Sequence, residues 1–126
     1  MRKSILITGC SSGIGLDCAE TLHAMGWKVF ASCRKQADCD RLEAMGLTSP
    51  RLDHADAASI RDTIDQVTKA TGGTLDAVFN NGAFAVPGAV EDLPTDALRS
   101  IYETNVFGYH EVIRQVLPIM RAQGHG

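Results

Sequence analysis

No stretch of this sequence of 126 residues approaches the roughly 20 consecutive apolar residues of a membrane-spanning helix. The apolar segment after Met1-Arg2-Lys3 has roughly half the length of a secretion-signal core, and it ends at Thr8-Gly9 instead of a cleavage site. The sequence therefore predicts no membrane span, no signal peptide and a cytoplasmic location.

Other features are also missing. The formal net charge is -3 and there is no basic run, which argues against nucleic acid as an electrostatic partner. The four cysteines lack C-x-x-C spacing, and reduced thiols are predicted. The four histidines show no ligand spacing with cysteines or carboxylates, so no metal site is predicted.

Short apolar strands alternate with helical patterns along the chain. The patterns predict strands over 5–8, 27–32, 50–53 and 75–79, and they predict helices over 13–25, over 36–45, after residue 56 and from residue 95 onward. This alternation predicts an α/β fold, a doubly wound parallel sheet with helices on both faces. Right-handed crossovers give the strand order 3-2-1-4.

The last predicted helix is apolar around much of its circumference. Val106, Ile113 and Val116 share one face, while Phe107 and Val112 are apolar on others. Such a helix is normally covered on both sides, and the far edge of the fourth strand also has no cover. We expect a partner or further polypeptide here, in a sheet of which the chain holds about the first half.

A glycine-rich turn follows the first strand and precedes the first helix. Gly9 permits a tight turn, Gly13 permits close approach of a phosphate, and Gly15 permits close packing of the helix. Ser11 and Ser12 add hydroxyl donors. Because the strand, turn and helix occur in this order, the segment predicts a dinucleotide phosphate site at a helix N-terminus.

The end of the second strand bears on the choice of cofactor. An NAD site would place a carboxylate here for the ribose 2′-hydroxyl, but Cys33 and Arg34 occupy the segment. A cation suits a 2′-phosphate, so NADP is predicted in preference to NAD. The alternative is that Arg34 and Lys35 are solvated charges beyond a strand.

Polar residues follow the third and fourth predicted strands at the same sheet edge. Asp53 could accept a hydrogen bond from the adenine amino group, with the His54 backbone alongside. The run 80–83, Asn-Asn-Gly-Ala, ends the fourth strand. Strand-end carboxylates and Asn-Gly pairs are also ordinary capping and turn residues.

Four motifs together resemble the short-chain dehydrogenases/reductases, over essentially the whole chain. They are Thr8-Gly9-x3-Gly13-Ile14-Gly15, Leu52-Asp53-x2-Asp56, Asn80-Asn81-Gly82-Ala83 and Asn105-Val106-x-Gly108. The glycine turn and Ser32-Cys33-Arg34 look most like the NADP-preferring hydroxysteroid and retinol branch. The resemblance implies a Rossmann fold, hydride transfer between a nicotinamide and an alcohol or carbonyl, and a homo-oligomer.

The motifs and the resemblance together predict the site residues. The cofactor-binding set is Gly9, Ser11, Ser12, Gly13, Ile14, Gly15, Arg34, Asp53, His54, Asn80, Asn81, Gly82 and Ala83. The resemblance implies a catalytic role for Asn105, whose backbone carbonyl would hold a water of the proton relay. One departure is the Asn-Asn-Gly-Ala run, since the family's usual order is Asn-Asn-Ala-Gly.

The larger departure concerns the family's proton donor, a Tyr four residues before a Lys. Tyr102 is followed by Val106 at that spacing and Tyr109 by Ile113, and no lysine follows Lys69. We expect residues 1–126 to be the NADP-binding N-terminal part of a longer oxidoreductase, inactive alone. The alternative is a non-catalytic NADP-binding or subunit-pairing module. An epimerase-like Rossmann enzyme fits less well, because those usually have a shorter glycine spacing.

Overall fold

The computed structural model describes residues 2–126 and contains three strands and five α-helices in them. The strands are β1 (Ser4–Ile7), β2 (Lys28–Ala31) and β3 (Ala77–Phe79). The helices are α1 (Gly13–Ala24), α2 (Gln36–Ala44), α3 (Ala57–Thr71), α4 (Thr95–Tyr102) and α5 (Tyr109–Gln123). A π-helical segment, Glu103–Gly108, joins α4 to α5, and a short 3-10 turn, Val90–Asp92, precedes α4.

The three strands form one parallel sheet in the order β2-β1-β3. In its register, Ile5 of β1 lies opposite Val29 of β2 and Ala77 of β3. All four residues of β1 are buried, as expected for the central strand of a parallel sheet with helices on both faces. The predicted α/β class with a doubly wound parallel sheet is confirmed.

The predicted third strand, 50–53, is reduced to isolated bridges beyond β2. Thr48 bridges Phe30, and Arg51 bridges Cys33, both in the parallel sense. The segment therefore holds the outer position predicted for it, so the order 3-2-1-4 is kept although a regular strand is missing.

Pro50 explains why this strand is interrupted. In the parallel register of Thr48 with β2, the amide opposite the Ala31 carbonyl belongs to Pro50, which has no N–H. The Ser49 hydroxyl donates to that carbonyl instead, at 2.6 Å. Pairing resumes afterwards, since the Leu52 N–H donates to the Cys33 carbonyl at 2.9 Å.

Alternate side chains of β1 enter two separate cores. Ile5 and Ile7 pack with buried residues of β2, α1 and α2, whereas Leu6 packs with α3 and α5. This is the period of two expected for a strand covered on both faces. The two cores hold the carboxyl ends of the strands in place from both sides.

Helix α3 begins after residue 56, as the sequence predicts, and both of its ends are well defined. The Asp56 carboxylate accepts hydrogen bonds from the N–H groups of Ala58 and Ser59, at 3.1 and 3.3 Å. At the other end Gly72 adopts a φ of +73°, the left-handed conformation that favours glycine. The next strand therefore starts after a fixed turn.

Residues 2–126 cover only one side of helix α5. Val112 and Val116 are buried against α3 and the sheet, while Ile113 and Leu117 are 45% and 46% exposed. That a partner or further polypeptide covers this side stays a prediction. No helix within the described range is long and apolar enough to cross a bilayer.

The four cysteines are free thiols, and three of them are buried. Burial raises the pKa of Cys10 well above its ordinary value and the pKa of Cys33 to about 11. Since the thiolate is the reactive form, neither should react at pH 8 in the folded protein. Cys39 is also fully buried, and Cys18 is partly exposed.

We therefore predict that a disulfide reagent at pH 8 modifies one thiol of the folded protein, Cys18, and all four in denaturant. Absorbance of the released thiolate measures both counts. The Cys18→Ser variant is the control and should show no rapid reaction when folded. Rapid modification of two or more thiols in the native protein would contradict the buried arrangement.

Candidate functional site

The turns after β1 and β3 are in backbone contact at the carboxyl edge of the sheet. Gly9 has a φ of +70°, and a Cβ there would lie 2.5 Å from the Gly82 Cα. Any side chain at Gly9 would therefore separate the two turns. The sequence predicts a tight turn at Gly9, and the structure shows in addition that the Gly82 backbone approaches it closely.

Thr8 links the same two turns by hydrogen bonds to its side chain. Its buried hydroxyl oxygen accepts the N–H groups of Asn81 and Gly82, both at 3.0 Å. The Asn81 side-chain amide in turn donates to the Gly9 carbonyl at 3.2 Å. This role of Thr8 is not among the predictions from the sequence, where its position directly before Gly9 is the available signal.

The start of α1 combines a tight contact with open space. A Cβ at Gly15 would lie 2.3 Å from the Gly9 carbonyl oxygen, so the helix packs directly on the turn. Gly13 has a φ of +60° and nothing within 4 Å of a Cβ position, and Ile14 is 73% exposed. Ser12 is the N-cap residue and makes no side-chain cap bond. Free N–H groups of a helix N-terminus thus face open space, which fits a phosphate.

A cleft of about 620 Å³ lies beside these turns. Seven predicted site residues line it: Gly9, Ser11, Arg34, Asp53, His54, Gly82 and Ala83. Five residues outside the predicted set also line it: Leu52, Ala55, Phe84, Ser100 and Thr104. The other predicted cofactor-binding residues, at 12–15 and 80–81, belong to the adjoining turns and do not line the cleft.

Arg34 and Asp53 present opposite charges at the cleft. Arg34 is exposed, and its backbone carbonyl accepts a hydrogen bond from the Arg51 guanidinium at 3.3 Å. One carboxylate oxygen of Asp53 accepts the Ala55 N–H at 2.9 Å, which closes a local turn. Capping of the next helix falls to Asp56, so the Asp53 carboxylate lies at the cleft without serving as the cap.

His54 is a buried residue where three segments meet. Its ring lies 4.9 Å from the Tyr109 ring, and a Cβ at Gly82 would lie 3.1 Å from its Nδ1. Burial lowers the pKa of His54 below its ordinary value, with opposing effects from the Asn80 side chain and Asp53. The imidazole is therefore neutral at pH 7. Among residues 2–126, its Nε2 and the Asn80 Oδ1 are buried without a hydrogen-bond partner.

Asn105 lies in the π-helical segment, where it holds the loop after β3. Its side-chain amide donates to the Phe84 carbonyl at 2.8 Å and accepts the Phe84 N–H at 3.2 Å. The resemblance implies a role for the backbone carbonyl of Asn105, and the side-chain contacts were not foreseen. Such π segments inside α-helices are frequent at functional sites.

Within residues 2–126 no group of three or more His, Cys, Asp or Glu side chains is placed to hold a metal ion. The residues that line the cleft instead carry three hydroxyls, one carboxylate, one guanidinium and the neutral His54 imidazole, beside the backbone amides of the turns. This donor set suits a phosphorylated nucleoside, because amides and a guanidinium bind phosphate and a carboxylate accepts from an amino or hydroxyl group.

The family model described as short chain dehydrogenase matches residues 3–126. Over 126 residues the chain is 37% identical to the oxidoreductase YbbO of Escherichia coli, covering all of this chain and 47% of that protein. Over 108 residues it is 34% identical to the NADPH-dependent 1-acyldihydroxyacetone phosphate reductase of Schizosaccharomyces pombe, covering 85% of this chain and 36% of that protein.

Solved structures show the same fold. A short-chain dehydrogenase from Streptomyces avermitilis superposes with a TM-score of 0.85 at 33% identity, covering all of this chain and 47% of that one. The chain thus spans about half the length of the relatives it matches. The arrangement of turns described above is the first half of that shared architecture.

Two glycines provide a matched test of the phosphate site. Gly13 and Gly26 both have positive φ, +60° and +91°, and both have open space around a Cβ position. Alanine at either site should therefore cost a similar roughly 1–2 kcal/mol of unfolding free energy. Only Gly13→Ala should weaken NADPH binding, by about tenfold or more, because only that methyl group stands where the phosphate approaches.

Urea denaturation measures the unfolding free energies, and calorimetric titration measures the dissociation constants for NADPH. Gly26→Ala is the control, since it also places alanine at a positive φ with open space around it, at the far end of α1. Equal NADPH affinity in the two variants would show that no phosphate binds at the N-terminus of α1.

Proposed function

Because the chain belongs to the short-chain dehydrogenase family, we propose that residues 1–126 form the NADP-binding domain of an oxidoreductase. The proposed reaction interconverts an alcohol and a carbonyl by hydride transfer. The observation that carries the proposal is the backbone contact of Gly9 with Gly82 beside a cleft that Arg34 borders. NADP, when bound, accepts or supplies the hydride.

The phosphate end of the proposed site is the turn after β1. The first N–H groups of α1 have no partners within the helix and carry the positive end of its dipole. Gly13 leaves the space above them free of side-chain atoms. We propose that these amides bind the pyrophosphate, with the Ser11 and Ser12 hydroxyls as further donors.

Arg34 is the proposed ligand of the 2′-phosphate. It follows β2 at the cleft, where Cys33 is 1% exposed and offers no carboxylate to a ribose hydroxyl. The guanidinium is free to meet a phosphate, because within the described residues Arg34 is hydrogen-bonded only through its backbone. The NADPH-dependent relative in Schizosaccharomyces pombe supports the same preference.

The adenosine and nicotinamide ends have separate proposed ligands. Asp53 and the His54 backbone would receive the adenine, and the Asn80–Ala83 run would pack beneath the nicotinamide ribose. Gly82 has no side chain, and a Cβ at this position would lie 3.1 Å from the His54 ring. We further propose that the Asn105 carbonyl holds a relay water. The homo-oligomer and the cytoplasmic location stay predictions.

The charge of Arg34 gives a direct test of the NADP preference. Arg34→Ala should weaken NADPH binding by about 10- to 100-fold, since a charge-assisted bond to phosphate contributes about 1.5–3 kcal/mol. The same variant should leave NADH binding within about twofold, because NADH has no 2′-phosphate. Calorimetric titration with each cofactor measures both constants.

Arg121→Ala is the matched control, since it removes the same charge from the last turn of α5. It should leave both constants unchanged. Equal or tighter NADH binding by the unaltered protein would refute the NADP preference. A protein that binds neither cofactor would refute the proposed function.

A second candidate function is a non-catalytic NADP-binding or subunit-pairing module. It is favoured by one observation, that residues 1–126 contain no Tyr-x3-Lys pair. Reading the native coding sequence beyond the Gly126 codon separates the two. For the oxidoreductase we expect a further strand with a Ser, followed by Tyr-x3-Lys. A stop codon directly after Gly126 would favour the binding module.

A further inference from the structure

We propose that Arg41 is a positioning residue that fixes the glycine turn for the pyrophosphate shared by NADP and NAD. The inference rests on the proposed function. Arg41 lies on α2 and does not line the cleft, so it would act on the cofactor only through the turn. No motif in the sequence marks this residue.

The guanidinium of Arg41 makes a short contact with the turn. Its Nη2 donates to the Ser11 carbonyl oxygen at 2.6 Å. The same nitrogen lies 3.4 Å from the Asp38 carboxylate, one turn earlier on α2. Asp38 therefore helps to orient the guanidinium, and the donor to Ser11 is charged, which makes the hydrogen bond stronger than a neutral one.

This bond determines the direction of a neighbouring amide. A peptide unit is planar and trans, so the Ser11 carbonyl and the Ser12 N–H point in opposite directions. Because Arg41 holds the carbonyl toward α2, the Ser12 N–H points away from α2. That N–H makes no hydrogen bond within the described part of the chain, and it remains available to a phosphate oxygen at the start of α1.

The position of Arg41 is itself fixed by the core. Its neighbour Leu42 and the nearby Cys39 are fully buried in the same core cluster as Cys10, the residue before Ser11. Helix α2 and the turn are thus packed together below the surface. Arg41 adds a polar link above that packing, in addition to the hydrogen bond from the Cys10 N–H to the Ser32 carbonyl.

The inferred role differs from that of Arg34 in a measurable way. Arg34 would meet the 2′-phosphate, which only NADP has, whereas the turn would meet the pyrophosphate, which both cofactors have. Loss of the Arg41 bond should therefore weaken NADPH and NADH binding by the same factor. The ratio of the two dissociation constants should not change.

The experiment compares the protein with its Arg41→Ala and Arg41→Lys variants by calorimetric titration with NADPH and NADH. We expect Arg41→Ala to weaken both by about fivefold, because a half-exposed charged hydrogen bond is lost. Arg41→Lys keeps a charged donor and should stay within about twofold of the unaltered protein. Arg61→Ala is the control, since Arg61 also pairs with a neighbouring carboxylate, Asp62.

A second readout needs no cofactor. In the free protein, the Cys10 and Leu16 amides are hydrogen-bonded to Ser32 and Ser12. Their hydrogen exchange, followed by NMR, should be faster in Arg41→Ala and unchanged in Arg61→Ala. Melting temperatures measured in parallel should agree between these two variants, because both residues are partly exposed and neither enters the core.

Four outcomes would overturn the inference. Unchanged cofactor affinities or unchanged exchange in Arg41→Ala would show that the turn does not depend on this bond. A selective loss of NADPH binding would show that Arg41 contacts the 2′-phosphate directly. A protein that binds neither cofactor would overturn the proposed function and the binding role of Arg41 with it, and the exchange rates would still report whether the turn is held.

Discussion

The candidate site depends on the backbone contact between Gly9 and Gly82, because it brings two turns from different strands to one point. The contact is fixed from below by the Thr8 hydroxyl, which accepts two N–H groups of the turn after β3. A third glycine, Gly15, packs the start of α1 against the same turn. Without these approaches, the start of α1 and the turn after β3 would not lie together beside the cleft.

The sequence predicts the elements well where local chemistry decides, and less well where tertiary contacts decide. The alternation of strands and helices can be predicted from single segments of sequence. So can the N-cap at Asp56. The backbone hydrogen bond that is missing at Pro50 is also a local effect. A proline inside a predicted strand is a signal against regular pairing. The π segment Glu103–Gly108 has no such signal. It occurs where Gly108 approaches the His54 carbonyl, and a Cβ there would lie 2.4 Å from that oxygen.

The same division holds for the site. Residues that follow strands were predictable, since parallel strands end at one edge of the sheet, and Arg34 and Asp53 do line the cleft. Residues contributed by helices were not. Ser100 and Thr104 reach the cleft from α4 and the π segment, and Arg41 reaches the turn from α2. Their involvement depends on how helices pack on the sheet, and the motif at Asn105 includes none of these three residues.

Affinity and selectivity for a dinucleotide would then be separate properties of neighbouring strands. The turn after β1 is constrained by Gly9 and Gly15, whose replacement would force backbone groups apart, so its shape can vary little. Arg34, after β2, is exposed and is hydrogen-bonded through its carbonyl alone within residues 2–126. Its side chain can therefore change without disturbing the fold. Because β1 and β2 are adjacent and parallel, the turns that follow them lie at the same edge of the sheet. Under the proposed function, a preference for the 2′-phosphate would be gained or lost at Arg34 while the phosphate turn stays intact.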